Sequence, residues 1–204
     1  MLHTETVKGE TLELLKEITH DPELSGFNLA GGTALALYMG HRLSIDLDLF
    51  TPQPFDAHAL EEYLIRHYDF QGDFLEKNTL KGNIRGVKID CITHNYPYIH
   101  PPFVSSSGIR LYSMEDIAAM KLSAIADNGT RLKDFIDIAC LSTKLSLETM
   151  LDAYQTKYQN SNSIRALKGL NFWEDILFNE PIQMIGGIYK WDKIEKRLCA
   201  MMKD

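Results

Sequence analysis

Residues 45–50 read Ile-Asp-Leu-Asp-Leu-Phe, so that apolar Ile45, Leu47 and Leu49 alternate with Asp46 and Asp48. A period of two predicts a strand with one buried face and sends both carboxylates to the other face. Their α-carbons are then roughly 7 Å apart, near enough for the two side chains to converge on one small hard cation. Neighbouring like charges repel, and a neutralising Mg²⁺ is the economical reason for placing two acids there.

A second element precedes this strand. Gly31-Gly32 follows the apolar run Phe27–Ala30 and leads into Ala34-Leu35-Ala36-Leu37-Tyr38-Met39, a helix-forming segment. Strand, glycine turn and helix start leave backbone N–H groups unpaired at the positive end of a helix dipole, which suits phosphate oxygens. Thr33 can cap the helix or offer its hydroxyl to a phosphate. A Gly-Gly-Thr turn alone carries little information, and its pairing with Asp-x-Asp on the next strand is what gives it weight.

Gly31-Gly32-Thr33-Ala34-Leu35, followed by Gly40-His41-Arg42-Leu43-Ser44-Ile45-Asp46-Leu47-Asp48-Leu49-Phe50, resembles the signature of the AbiEii/AbiGii toxin-type nucleotidyltransferases, within the DNA polymerase β-like superfamily. The likeness continues at Asp90, Lys121 and Arg131-Leu132-Lys133-Asp134-Phe135-Ile136-Asp137. The wider superfamily usually has Gly-Ser where this chain has Gly32-Thr33, and threonine keeps the hydroxyl. The resemblance implies an α+β fold, a polymerase β-like mixed sheet with flanking helices followed by a helical C-terminal half. It also implies transfer of a nucleoside monophosphate from a nucleoside triphosphate to an acceptor such as tRNA, by the toxin of a bacterial toxin–antitoxin or abortive-infection pair with a cognate antitoxin.

The same resemblance assigns roles. Such chemistry is in-line displacement at an α-phosphorus, for which three carboxylates on adjacent strands can hold two metal ions. Asp46, Asp48 and Asp90 are the expected catalytic and metal-binding acids, for two Mg²⁺ or alternatively Mn²⁺. Asp90 is assigned to the nucleophile side, with the acceptor's proton. Gly31, Gly32 and Thr33 are expected at the phosphates and Lys121 at the triphosphate tail. Arg42 and Ser44 brace the strand or reach phosphate, while Arg131, Lys133, Asp134 and Asp137 shape the nucleotide pocket. Two alternatives remain open at this point. Asp46-Leu47-Asp48 also resembles the acid pair of haloacid dehalogenase-type phosphatases, although Phe50 departs from that pattern, and a non-catalytic interaction protein could retain the fold.

The remaining chain supplies the scaffold. Residues 4–18 have helical spacing, and Asp56 can cap a helix carrying Leu60, Tyr63, Leu64 and His67. Two strand-like runs, 70–78 and 84–93, are joined by an expected turn at Lys81-Gly82-Asn83, and Asp90 falls mid-strand, where aspartate is disfavoured. The loop 95–107 precedes a short strand at 109–112. Ser113 with Asp116 resembles a capping box for a helix over 114–126. Lys133 and Asp137 have the spacing of a helix-face ion pair, worth a few tenths of a kcal/mol. Helices are expected over 145–158, 163–170 and 191–202, with Phe172, Trp173, Phe178 and Trp191 as core anchors. These elements divide into a nucleotidyltransferase core, 1–112, and a helical region, 113–204.

Composition narrows the classes. A chain of 204 residues, 45% hydrophobic and 24% charged, is an ordinary globular protein able to bury a proper core. The charged stretch Met1–Glu17 does not read as a signal peptide, and no apolar run is long enough to span a bilayer, which points to the cytoplasm. Cys91, Cys140 and Cys199 read as reduced core thiols. The net charge of −7 argues against a blanket nucleic-acid binder while allowing one local basic groove. Lys77, Lys81, Arg85 and Lys88 gather at the expected hairpin, and Lys190, Lys193, Lys196 and Arg197 near the C-terminus; both groups read as solvated faces.

Overall fold

The Asp-x-Asp run becomes β2 (Leu47–Thr51), a central strand of one mixed sheet in the computed structural model, which describes residues 1–203. The other strands are β1 (Asn28–Leu29), β3 (Gln71–Glu76), β4 (Thr79–Ile84), β5 (Val87–Thr93), β6 (Phe103–Val104) and β7 (Arg110–Leu111), in the order β3-β4-β5-β2-β1-β7-β6. β2 runs parallel to β5 and antiparallel to β1, and β1 is parallel to β7. Helices are α1 (Gly9–His20), α2 (Gly31–Met39), α3 (Ala57–Tyr68), α4 (Met114–Asn128), α5 (Leu132–Leu141), α6 (Leu147–Lys157), α7 (Ser163–Leu170) and α8 (Trp191–Met201).

One face of the sheet is apolar from edge to centre. Leu80, Ile84, Val87, Ile89, Cys91, Leu47, Leu49, Leu29 and Leu111 are all buried on neighbouring strands. Full burial of each leucine or isoleucine is worth roughly 1.5–3 kcal/mol. Slipping β2 by one residue would trade Leu47 and Leu49 for Asp46 and Asp48, so the hydrophobic term fixes which face the acids take.

The expected turn at Lys81-Gly82-Asn83 is instead the middle of β4. The chain reverses at Lys77-Asn78 and at Arg85-Gly86, where Asn78 (φ 61°), Arg85 (φ 52°) and Gly86 (φ 83°) supply the left-handed backbone that two-residue hairpins need. Gly82 is required for close approach: a Cβ there would lie 2.2 Å from the Gln71 carbonyl and 2.4 Å from the Phe70 ring. Two runs are therefore three strands.

The helical C-terminal half is built around α4, which packs against α5, α6 and α7 and buries Ile117, Ala118, Ala119 and Leu122. Ser113 caps it, accepting from the Asp116 N–H at 3.0 Å. Trp191 packs edge-on to Trp173 and Phe178, with centroids 5.8 and 5.1 Å away. Trp173 and Trp191 pack against the core as expected, whereas Phe172 and Phe178 remain about half exposed and lie outside helices, which corrects the reading of those two as core anchors. Cys91 alone of the three free cysteines is fully buried, and Cys199 is exposed because its helix is only half covered. No helix among the described residues is long and apolar enough to cross a membrane.

Candidate active site

Asp48 stands directly opposite Asp90 across the parallel β2–β5 pair, so both carboxylates leave the sheet on the same face. Asp46 lies just before β2, two residues from Asp48. Beside them is a cleft of about 400 Å³ lined by Gly32, Thr33, Arg42, Ser44, Asp46, Asp48, Lys121, Arg131 and Lys133, all singled out from sequence, and also by Lys8 and residues 181–183. Gly31, Asp90, Asp134 and Asp137 stand outside that lining. A wider groove of about 870 Å³ between the end of α4 and α7 is lined by none of the expected site residues and by no acid pair on a strand. The smaller cleft is therefore the one that gathers the expected site residues.

The glycines are there to let side chains approach. Gly31 has φ 64°, and a Cβ on it would fall 2.0 Å from Asp48 Oδ2. A Cβ on Gly32 would fall 2.4 Å from Arg42 Nη2. Thr33 is not the cap of α2: that position is Ala30, and the Thr33 hydroxyl donates to the Asp46 carbonyl and lies 2.8 Å from Ser44 Oγ. It ties the helix start to the acidic strand, leaving the first amides of α2 toward the cleft.

Behind the cleft wall is a buried charge network. Asp137 Oδ1 accepts from Arg42 Nε at 2.8 Å and from His41 Nε2 at 2.8 Å, and Asp137 Oδ2 accepts from Arg42 Nη2 at 2.9 Å. Lys121 Nζ donates to Asp134 Oδ1 at 2.6 Å and lies 2.9 Å from Asp137 Oδ2. Burial alone would raise the Asp137 carboxyl, but Lys121 and Arg42 outweigh it and hold it well below the ordinary range. Burial likewise opposes the Lys121 ammonium, and Asp137 and Asp134 overcome it and raise its pKa. Arg131, at the start of α5, keeps its side chain 64% exposed and lies 3.6 Å from Asp134.

The acids are in a different state. Burial raises the Asp48 pKa, Asp90 and Asp46 raise it further, and Lys121 opposes them. Asp90 pairs with Lys81 at 3.1 Å and Lys88 at 3.7 Å, while its buried Oδ1 has no hydrogen-bond partner. Among the described residues no three His, Cys, Asp or Glu side chains stand as a ready-formed metal centre.

Sequence reasoning missed several of these groups. The expected helix-face pair of Lys133 with Asp137 is absent, since Lys133 is 2.6 Å from Glu180 and Asp137 belongs to the network. His41 and Glu180 were not singled out because their partners are 96 and 47 residues away. Lys81 and Lys88 were read as solvated because β4 was taken for a turn.

The fold resembles solved nucleotidyltransferase-like structures. The antibiotic-resistance factor ANT(2'')-Ia superposes with a TM-score of 0.57 at 16% identity, covering 78% of this chain and 94% of that one. An antigenic nucleotidyltransferase-like protein from Paracoccidioides brasiliensis gives a TM-score of 0.50 at 15% identity, covering 80% and 94%. These likenesses define the fold class, that of nucleotidyltransferase-like proteins. More narrowly, residues 13–186 match the family described as "Nucleotidyl transferase AbiEii toxin, Type IV TA system", and the chain belongs to that family. It is 32% identical over 174 residues, 83% of this chain and 84% of the relative, to an uncharacterized protein of Aquifex aeolicus (strain VF5). The chain is an enzyme that transfers nucleoside monophosphates, and the phosphatase alternative falls away.

Proposed function

We propose that the protein is a divalent-metal-dependent nucleotidyltransferase toxin that adds a nucleoside monophosphate to an RNA acceptor such as a tRNA, and that a cognate antitoxin restrains it in the cytoplasm. Asp46, Asp48 and Asp90 are the residues that would hold Mg²⁺ or Mn²⁺. Their fit rests on three features: hard oxygen donors on adjacent strands, an Asp48 carboxylate destabilised by burial and by its acidic neighbours, and a buried Asp90 Oδ1 that has no hydrogen-bond partner. When bound, the cation supplies charge neutralisation at the transferring phosphoryl group.

The chain's own groups do the rest. The α2 N-terminus at Gly32-Thr33, with Arg42 behind it, receives phosphate oxygens, and Lys121 and Arg131 face the triphosphate from the helical wall. Thr33, with its hydroxyl against Ser44, holds the Asp46 backbone, Asp137 and Asp134 aim Arg42 and Lys121, and Glu180 restrains Lys133 at the pocket edge. Asp90 takes the proton from the acceptor hydroxyl. A bond forms from that oxygen to the α-phosphorus, the α–β bridging bond breaks, and pyrophosphate leaves.

The observation that supports this reading most is the direct Asp48–Asp90 pairing beside a cleft whose other wall carries Lys121 and Arg131. The test is incubation of purified protein with Mg²⁺, total RNA and each nucleoside triphosphate, labelled at the α- or the γ-phosphorus. The α label should enter RNA and the γ label should leave as pyrophosphate. Free γ-phosphate without α incorporation contradicts the reading.

A further inference from the structure

The sheet face that carries Asp48 and Asp90 continues past the cleft onto β4 and β3. Register places Asp90 opposite Lys81, and Lys81 opposite Phe74, so Phe74, Lys81, Asp90 and Asp48 form one row across four strands. With strands about 4.8 Å apart the row is about 14 Å long. Lys88, two residues before Asp90, shares the face. The opposite face of β3 and β4 is the one occupied by α3, with Leu80, Ile84 and the Phe70 ring against Gly82.

The row is accessible and its composition is unusual for a solvated edge. The Phe74 residue is 44% exposed, and the side chains of Lys81 and Lys88 are 37% and 56% exposed. Two ammonium groups flank the Asp90 carboxylate, so the cations stand between the acids of the cleft and the Phe74 ring. Glu76, opposite Thr79, is the acid of the adjoining row. Outward from the cleft the order is carboxylate, cations, aromatic ring. A single-stranded polynucleotide end presents the complementary order: terminal hydroxyl, backbone phosphate, base. An aromatic platform beside cations is how proteins bind such strands with little sequence preference.

We propose that this exposed face of β3–β5 is the acceptor platform, binding the single-stranded 3′ end of an RNA, with Phe74 stacking on a base and Lys81 and Lys88 holding phosphates next to Asp90. The proposal rests on the nucleotidyltransferase reading and adds which surface presents the acceptor. A cationic acceptor is repelled by the lysines.

The test is fluorescence anisotropy of a short, unstructured 5′-labelled RNA with the full chain in EDTA and without nucleotide, so that turnover plays no part. Phe74→Ala should weaken binding about tenfold, and Phe74→Trp should retain it. The double variant Lys81→Gln/Lys88→Gln should flatten the dependence of log affinity on log salt by about 1.4, two single-strand phosphates at about 0.7 each. Lys77→Gln, at the neighbouring turn, should leave both unchanged. Nucleoside triphosphate affinity, measured by calorimetry with Mg²⁺, should be that of the wild type in every variant. If RNA affinity and salt slope are unmoved while the wild type binds nucleotide, the platform is wrong and the transferase reading stands. If polyglutamate competes as well as RNA and Phe74→Ala has no effect, the face is a nonspecific anion patch and the proposal fails. If the wild type neither binds nor turns over nucleotide, the transferase reading fails and takes the proposal with it.

Discussion

Helix α4 carries two buried lysine–aspartate systems built on opposite plans. Near its start, Asp116 accepts from Lys157 Nζ at 2.8 Å, from Ser113 Oγ at 2.7 Å and from the Ile99 N–H at 3.1 Å, while Lys157 also donates to the Pro97 carbonyl at 3.0 Å. One cation meets one anion, both side chains are fully inaccessible, and the pair staples the loop at 97–100 to α4 and α6. One and a half turns along, Lys121 joins a network in which buried Arg42 and Lys121 face Asp134 and Asp137, and a third cation, the exposed Arg131, stands at its cleft edge. The first system is closed. The second retains positive charge and opens on a cleft. Burial is common to both, so it is charge balance and access that separate a staple from a site.

The largest effect is expected at the acids that face the unbalanced network. Asp48→Asn should reduce nucleotidyl transfer to background, read from α-label incorporation, while the melting temperature without metal rises. The sign follows from the raised Asp48 pKa: its contribution to stability is full below its unfolded value of about 4 and is lost as pH rises through the higher folded value, so the ionised group costs stability at neutral pH. A lower melting temperature at pH 7 would place Asp48 in a structural role.

Next in size are the two buried charge systems. Asp137→Asn leaves Arg42 and Lys121 short of a buried partner and should cost about 3–5 kcal/mol in denaturant unfolding, together with activity. Lys157→Met should cost a similar amount or less, because Asp116 keeps its Ser113 and backbone donors. Adding Asp116→Asn should recover part of that loss, since the buried charge is gone. Recovery of transfer by an equivalent neutral pair at Lys121 and Asp137 would erase the distinction between the two systems.

A smaller effect is expected in acid. The depressed Asp137 carboxyl contributes stability that is complete above about pH 4 and disappears as pH falls through its lower folded value. Asp137→Asn should therefore flatten the loss of stability below pH 4, measured by urea midpoints. An unchanged acid limb would mean that other carboxylates dominate.

Much of this arrangement was legible in the chain, for reasons the structure makes plain. The Asp-x-Asp strand and the glycine turn are local patterns, and Asp48 and Gly31 meet only 17 residues apart. Asp134 and Asp137 sharing a helix face also follows from spacing. What failed was non-local. Gly82 looked like a turn residue, yet it is glycine because Phe70 and Gln71 crowd it, and the misplaced turn hid Lys81 beside Asp90. The reading of Lys133 with Asp137 as a pair obeyed helix spacing and lost to Arg42, 95 residues away. Asp116 was read as half of a capping box, correctly as far as Ser113, but no pattern announces Lys157 of α6, 41 residues on.

The claim that the α4 lysine at the cleft serves substrate, while the other serves the fold, is tested most directly by titrating a nucleoside triphosphate with Mg²⁺ into Lys121→Met and Lys157→Met in a calorimeter. Lys121→Met should remain folded and bind nucleotide at least about tenfold more weakly than the wild type, the loss of one charge-assisted contact. Lys157→Met should unfold more readily yet, while folded, bind nucleotide as the wild type does. Equal nucleotide affinity in Lys121→Met and the wild type, with both proteins folded, would contradict the account.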